Sequence, residues 1–478
     1  MRTIPGEILP IDRKARARKL SLDIKIRPSG DRLSDFNDVV VPMSTEQAIW
    51  EASRCVHCPD PAPCHQACPV HNDIPSAMWL IEHKQFIEAA ALFRQTSSLP
   101  EICGRVCPHE QVCQGGCTQV KNSSPILIGA LEAFVTDYER KTSGVEVLAG
   151  NPTGKKVAIV GAGPAGLACA EQLVQIGHKV TVFEAKLTWG GLLTYGIPNF
   201  KLPKEVVFSR IEDLQKAGVD FFFNTVIGKD KTIDDLFKEG YQAIFIGVGT
   251  EIDAPMEVPG EDLPGVFQAT EFLVRCNVNF QYLPSEMQSC PEIGEKVVVI
   301  GGGDTASDCL RSALRMGAKE VTCLYRRTEK EMPGGGHDRQ LAREEGAKYQ
   351  FLTQPIRFIA GENGRLARVE CIRMELGEPD EKGRRKPVPV EGSNFFVEAD
   401  CAVTAVSYWP DPIIGKTTPG LKTDKWGLIL VESETGATSR AGVFAGGDGV
   451  TGPSLVVTAN AAGRKAAKAI DEYISNLS

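Results

Sequence analysis

The sequence predicts an α/β protein in which a helical, cysteine-rich N-terminal domain precedes two copies of a strand–turn–helix–strand unit. Three observations predict it. Eight of the fifteen cysteines lie between Cys55 and Cys117. From about residue 150 the pattern changes to short β-branched strands alternating with helices. Two segments, KKVAIVGAGPAGLACAEQLVQIGHKVTVFE (155–184) and EKVVVIGGGDTASDCLRSALRMGAKEVTCLYRR (295–327), then repeat one order of strand, Gly-rich turn, helix and strand.

Within residues 1–150, the basic run Arg13–Lys19 reads as a solvated helix face, with docking onto an anionic partner or surface as the alternative. Ile74, Ala77, Met78, Ile81, Phe86, Ala89, Ala90 and Phe93 recur at helical spacing, so a helical hairpin should separate two cysteine groups, with its apolar side chains in the core. The turn-rich passage from Gly144 to Lys156 marks a domain boundary near 150. A third strand–turn–helix pattern, GVFAGGDGVTGPSLVVTANAAGRKAAKAI at 442–470, closes the sequence.

Bulk properties exclude several classes. With 478 residues, 42% hydrophobic and 24% charged, the chain is an ordinary globular one of about three domains. The net charge of −8 argues against a nucleic-acid partner. No apolar run approaches the ~18–20 residues that span a bilayer, and the basic N-terminus lacks a following apolar stretch, so no membrane role and a cytoplasmic location are expected. Cysteine clusters in such a chain point to metal or redox work rather than to disulfides.

The cysteines read Cys55-x2-Cys58-x5-Cys64-x3-Cys68-Pro and Cys103-x3-Cys107-Pro-x5-Cys113-x3-Cys117. Iron–sulfur clusters take four converging ligands, and ferredoxin-like runs often send the cysteine before proline to the neighbouring cluster. Cys55, Cys58 and Cys64 then hold one cluster with Cys117, while Cys68 joins Cys107 and Cys113 on the other. That second set lacks one ligand, for which Cys103 and Glu132 compete. Zinc, held by four cysteines per site, is the competing metal.

Gly161, Gly163 and Gly166 fit G-x-G-x-x-G after a strand, with Pro164 and Ala165 between them, and Glu184 ends the next strand. A carboxylate there accepts from ribose hydroxyls, which suits FAD or NAD(H) and repels a 2′-phosphate. FAD is favoured because Gly447-Asp448 ends a late strand. From Ser454 a helix should begin, whose N-terminus is a second anion site for a cofactor laid across both parts.

The second loop, Gly301-Gly302-Gly303-Asp304-Thr305-Ala306, keeps the turn with Ala306 for the third glycine. Its next strand ends in Arg326-Arg327, whose guanidinium forks match phosphate oxygens, so NADPH is expected, with NADH the alternative.

Taken together, ASRCVHC…CHQACPV, GRVCP, GAGPAGL, WGGLLTYGIPNFKLPKE, GGGDTA, YRRTEKEMP and AGGD make the chain resemble, after about residue 35, the small (beta) subunit of bacterial glutamate synthase. It is also similar to the NADPH-binding subunit of NADH-dependent ferredoxin:NADP oxidoreductases and to the N-terminal part of dihydropyrimidine dehydrogenase. The resemblance implies a helical domain with two 4Fe-4S clusters, an FAD domain and an NADPH domain inserted into it, placed here at 1–150, 151–285, 286–403 and 404–478. It implies the same crossed cysteine sets, with Glu132 as the eighth ligand and Cys103 a bystander, and adds Gly191 and Leu192 to the FAD site. Two departures stand out: Ser407, where relatives have Gly before Pro410-Asp411, and Gly334-Gly335-Gly336-His337, where a charged helix start is usual.

These parts predict an electron-transfer subunit that passes hydride between NADPH and FAD and single electrons through the clusters. It should pair with a larger catalytic or electron-accepting subunit, or with ferredoxin, in a hetero-oligomer. No catalytic acid–base residue is expected, because the cofactors carry the chemistry. The alternatives are a bifurcating or ferredoxin-dependent oxidoreductase subunit and a non-catalytic nucleotide-binding scaffold.

Overall fold

A computed structural model describes residues 11–121, 124–379 and 383–477. The cysteine-rich region folds as short helices, and the expected hairpin forms from Ile74–Glu82 and Phe86–Thr96, turned at Lys84 in the left-handed region (φ 62°). All eight apolar positions read from its spacing are buried. They pack with Leu131 and Val135 of the helix Ile128–Thr142 into one core that also contains the cysteines.

Two parallel five-stranded sheets follow. In the first, the spatial order is 443–445, 243–246, 156–160, 179–183, 220–222. The late strand Val443–Ala445 thus joins a sheet begun almost three hundred residues earlier, and the chain between makes the second domain an insertion. Helix Val456–Ser475 then lies on helix Pro164–Ile176, close enough that a Cβ on Gly463 would fall 2.1 Å from the Ala165 carbonyl oxygen.

The second sheet runs 266–268, 401–404, 296–300, 320–325, 348–351. Its outer strand, Val266–Gln268, falls before the expected boundary at 286, so the inserted domain begins earlier than the sequence suggested. Pairing with Cys401–Thr404 draws this strand in: three residues form a stable edge only against a neighbour already in the sheet. A four-stranded antiparallel sheet, built from Thr353–Ala360, Leu366–Pro379, Arg385–Pro389 and Phe395–Glu398, is appended to this domain. The two chain crossings between the sheets pair with each other, Ile252–Asp253 against Tyr408–Trp409.

Buried charge joins the cysteine domain to the first sheet domain. Arg210 donates to the Ser98 carbonyl (2.9 Å) and pairs with Glu171, with Glu101 at 3.5 Å; Arg94 ties Glu101 and Glu139 together at 2.9 and 2.8 Å.

Candidate functional site

The first Gly-rich loop shows why each glycine is needed. Gly161 has φ +100°, and a Cβ there would meet the Gly247 carbonyl at 2.7 Å. A Cβ on Gly166 would lie 2.0 Å from the Gly161 carbonyl, so only glycine lets the helix start this close to the strand. At Gly163 the nearest atom is 4.0 Å away and the position faces a cavity, where a phosphate can approach the backbone. Glu184 is buried, and its two carboxylate oxygens accept from the Ala162 and Lys186 backbone N–H groups at 2.8 and 2.9 Å. Burial raises its pKa against those two hydrogen bonds. Each oxygen keeps a further lone pair for a ligand hydroxyl.

The second loop repeats the geometry. A Cβ on Gly301 would meet the Ala405 carbonyl at 2.2 Å and one on Gly302 the Tyr325 ring at 2.5 Å, while Gly303 has open space. Ala306 is buried in the helix Asp304–Arg315. Two partners of this loop were not legible: Tyr408 Oη lies 3.3 Å from Thr305 Oγ1, and the Gly335 N–H donates to Asp304 Oδ1 at 2.7 Å.

A cavity of about 1070 Å³ connects these elements. Its walls include Gly161, Gly163, Pro164, Ala165, Glu184, Gly191 and Leu192 from the first domain and Gly447, Asp448 and Ser454 from the C-terminal segment. Asp304 and Thr305 of the second loop also line it, and so do Cys107, Pro108 and His109 of the cysteine domain. Gly166, Gly301, Gly302, Gly303, Ala306, Arg326 and Arg327 stand outside this wall. The expected helix start at Ser454 is displaced: Leu455 is the N-cap and the helix runs from Val456. Burial pushes Asp448 up to about 6, opposed by the Ser454 backbone N–H.

The expected arginine pair is split. Arg326 is exposed at the end of its strand, whereas Arg327 is buried and its Nε donates to the Arg385 carbonyl at 2.8 Å. Although the residue as a whole is exposed, partial burial of its guanidinium, then the charges of Arg327 and Arg384, lower the Arg326 pKa.

The cysteines fall into two groups. Cys55, Cys58, Cys64 and Cys117 line one small cavity, closed by Ile74, Met78 and Ile128. Burial pushes the Cys55 thiol up to about 12, opposed by a hydrogen bond from the His57 backbone N–H. In the other group, burial first and then Glu132 raise Cys113, which also faces Cys68. A hydrogen bond with Cys103 and burial raise Cys107, beside Glu132 and Cys113. This group therefore brings five donors together: Cys68, Cys103, Cys107, Cys113 and Glu132. Glu132 is buried, is pushed up to about 8 by burial, and accepts from Asn72 Nδ2 at 3.3 Å. Among the described residues no three His, Cys, Asp or Glu side chains are grouped to hold a single metal ion.

Comparison with known proteins adds the following. The family model described as dihydropyrimidine dehydrogenase domain II, 4Fe-4S cluster, matches residues 32–144, and the one described as pyridine nucleotide-disulphide oxidoreductase matches residues 155–463. The chain is 44% identical over 468 residues to the putative oxidoreductase UacF of Escherichia coli, covering 96% of this chain and 72% of that protein. It is 42% identical over 460 residues to the E. coli glutamate synthase [NADPH] small chain, covering 94% and 96%. With the beta subunit of the NADP(+)-dependent formate dehydrogenase of Moorella thermoacetica it shares 40% over 438 residues, covering 86% and 60%. Among solved structures, Mycobacterium tuberculosis FprA in complex with NADPH superposes with a TM-score of 0.57 at 22% identity, over 68% of this chain and 85% of that one, a likeness of fold.

Proposed function

Because the chain belongs to the pyridine nucleotide-disulphide oxidoreductase family and carries the 4Fe-4S domain of dihydropyrimidine dehydrogenase ahead of it, we propose that it is the NADPH-dependent electron-transfer subunit of a glutamate synthase-like enzyme. The observation that carries this reading is the shared cavity. Gly161 and Gly163 of the first loop, Asp304 and Thr305 of the second and Cys107 of the cysteine domain all line it, which supports two dinucleotide sites beside one set of cluster donors.

The donor chemistry fits the groups proposed. Four thiols lining one closed cavity suit a 4Fe-4S cube, which holds its thiolates apart at its corners, where zinc draws them to a point. Three cysteines and Glu132, with Cys103 beside them, suit a second cube. The space at Gly163 and the oriented Glu184 suit FAD, with Gly191, Leu192, Asp448 and Ser454 at its other side. Crowding of Arg326 by Arg327 and Arg384 suits a dianionic 2′-phosphate, which such a cluster of like charges would welcome, and so favours NADPH over NADH.

Bound in this cavity, FAD supplies the exchange between a two-electron hydride and single electrons. The chain itself would bring the two dinucleotides to a shared cavity and fixes the Glu184 carboxylate for ribose, with Leu455, Val456 and Ala459 as apolar wall. No residue is required as an acid or base. The partner is a larger protein that performs the substrate chemistry. Identity to a formate dehydrogenase subunit favours a second reading, in which the partner is another oxidoreductase or a ferredoxin.

The test is direct. Purified under anaerobic conditions, the chain should contain flavin and about eight irons, two cubes of four, and NADPH should bleach the flavin faster than NADH. Protein with neither flavin nor iron would falsify the reading. Affinity capture of the native protein, with mass spectrometry of what is bound, separates a glutamate synthase large subunit from the rival partners.

A further inference from the structure

The helix Arg13–Ala17 has no buried residue, yet it is fixed to the cysteine domain. Its attachment is made by charge. Arg13 Nε donates to the Val56 carbonyl and Arg13 Nη2 to the His57 carbonyl, both at 3.1 Å. Arg16 Nη1 donates to the carbonyls of Ser53 (2.9 Å) and Cys55 (3.2 Å), and Arg16 Nη2 grips both oxygens of Glu82 at 3.0 and 2.8 Å. Lys19 Nζ reaches Ser53 Oγ at 2.6 Å. The basic run is therefore turned onto the backbone that carries Cys55 and Cys58, and is not a freely solvated face.

We propose that Arg13 and Arg16 set the reduction potential of the cluster held by Cys55, Cys58, Cys64 and Cys117, raising it, and that Glu82 trims that effect. The inference rests on the assignment of the cysteines to two clusters. Reduction adds one electron, hence one negative charge, to a cluster already held by anionic thiolates. A cation one peptide away favours the reduced form, and a carboxylate beside that cation disfavours it. The guanidinium hydrogen bonds also hold the carbonyls of Ser53, Cys55, Val56 and His57 in place, while the His57 backbone N–H bonds the Cys55 sulfur. Among the described residues no hydrogen bond or ion pair links these side chains to Cys68, Cys107, Cys113 or Glu132, so the effect is larger at the first cluster than at the second.

The two signs make the test. An EPR-monitored redox titration of the purified full chain, with iron quantified, should show two midpoint potentials, and Glu132→Cys identifies the one that belongs to the cluster of Cys68, Cys107 and Cys113. Arg16→Gln and the more exposed Arg13→Gln should each lower the other midpoint. A tenfold change in its reduced-to-oxidised ratio at fixed potential corresponds to about 59 mV for one electron. Glu82→Gln should raise the same midpoint, and Arg16→Lys should stay close to the parent. Shifts of the same sign in Arg16→Gln and Glu82→Gln, equal shifts in both clusters, or no shift with iron retained overturn the proposal. Iron lost from the arginine variants alone also overturns it, by making the role one of loop structure. Absence of iron from the parent protein removes the cluster assignment instead, so the two failures are distinguishable.

Discussion

Two glycines three positions apart should fail in opposite ways when changed to alanine. At Gly166 the added Cβ would lie 2.0 Å from the Gly161 carbonyl oxygen and 3.2 Å from Ile159 Cγ2. Neither can retreat, since one is backbone in the tight turn and the other is buried in the strand beneath. Overpacking of this kind costs about 1–3 kcal/mol, and backbone contact places Gly166→Ala at the upper end. At Gly163 the nearest atom is 4.0 Å away and φ is −80°, which alanine adopts freely. There the gain of about 0.4–1 kcal/mol from a stiffer unfolded chain is offset by a comparable loss of N-cap preference, leaving apo stability within about 1 kcal/mol of the parent. The methyl group points into the cavity, where a phosphate approaching the backbone would lose a charge-assisted hydrogen bond of about 1.5–3 kcal/mol, roughly a 10- to 150-fold loss of FAD affinity. Thermal unfolding of flavin-free protein, followed by FAD titration, measures both. The reasoning is refuted if Gly163→Ala unfolds as early as Gly166→Ala, or folds normally and binds FAD as tightly as the parent.

Three further outcomes follow from the same structure. Arg210→Ala strands Glu171 as an unpaired buried charge and should cost about 3–5 kcal/mol in thermal or denaturant unfolding, whereas a loss below 1 kcal/mol would show that the domain junction does not depend on this pair. Cys103→Ser should retain the parent iron content while Glu132→Ala loses part of it; the reverse result would hand the eighth ligand to Cys103. Asp448 has a folded pKa of about 6 against an ordinary 3.8, so its folded form holds the proton longer than the unfolded one. Its contribution is present below pH 3.8 and is lost as pH rises through 6, making the flavin-free parent weaken by about 2–3 kcal/mol relative to Asp448→Asn between pH 4 and 6.5. A constant difference between the two proteins over that range would contradict the burial of this carboxyl.

The sequence revealed features whose cause is local or periodic. Ile74 to Phe93 could be read because helical spacing marks a buried face whatever the face is buried against. Gly161, Gly163, Gly166 and Glu184 could be read because the turn imposes a fixed spacing on the chain that makes it. The strand Val266–Gln268 could not: three residues carry no period, and its membership in the second sheet depends on Cys401–Thr404, more than a hundred positions later. The same holds for Arg327. In the sequence it is the twin of Arg326, but the hairpin strand Arg385–Pro389 brings a carbonyl to its Nε, and the two neighbours receive different environments. Asn72 was silent for a similar reason, because its partner Glu132 lies 60 positions away.

The glycine run at 334–336, which departs from the charged helix start expected there, has a spatial cause that ties the three domains together. Gly335 has φ −60°, a value open to any residue, so freedom of the backbone does not require glycine at that position. Space requires it one position earlier. Gly334 donates its N–H to the Gly302 carbonyl, and a Cβ on it would lie 2.8 Å from the Gly303 carbonyl carbon and 3.0 Å from the Asp304 nitrogen. A Cβ on Gly335 would come 3.5 Å from Glu110 Oε1 and 3.6 Å from Asp304 Oδ1, so the cysteine-domain loop after Cys107 and the second dinucleotide loop both close on this residue. At Gly335 those are ordinary contact distances, whereas any side chain at position 334 would push the backbone of the second loop away. Gly334 thus trades the electrostatics of a helix N-terminus for close approach, and that approach holds the second loop where its Asp304 and Thr305 line the same cavity as Gly161, Gly163 and Cys107.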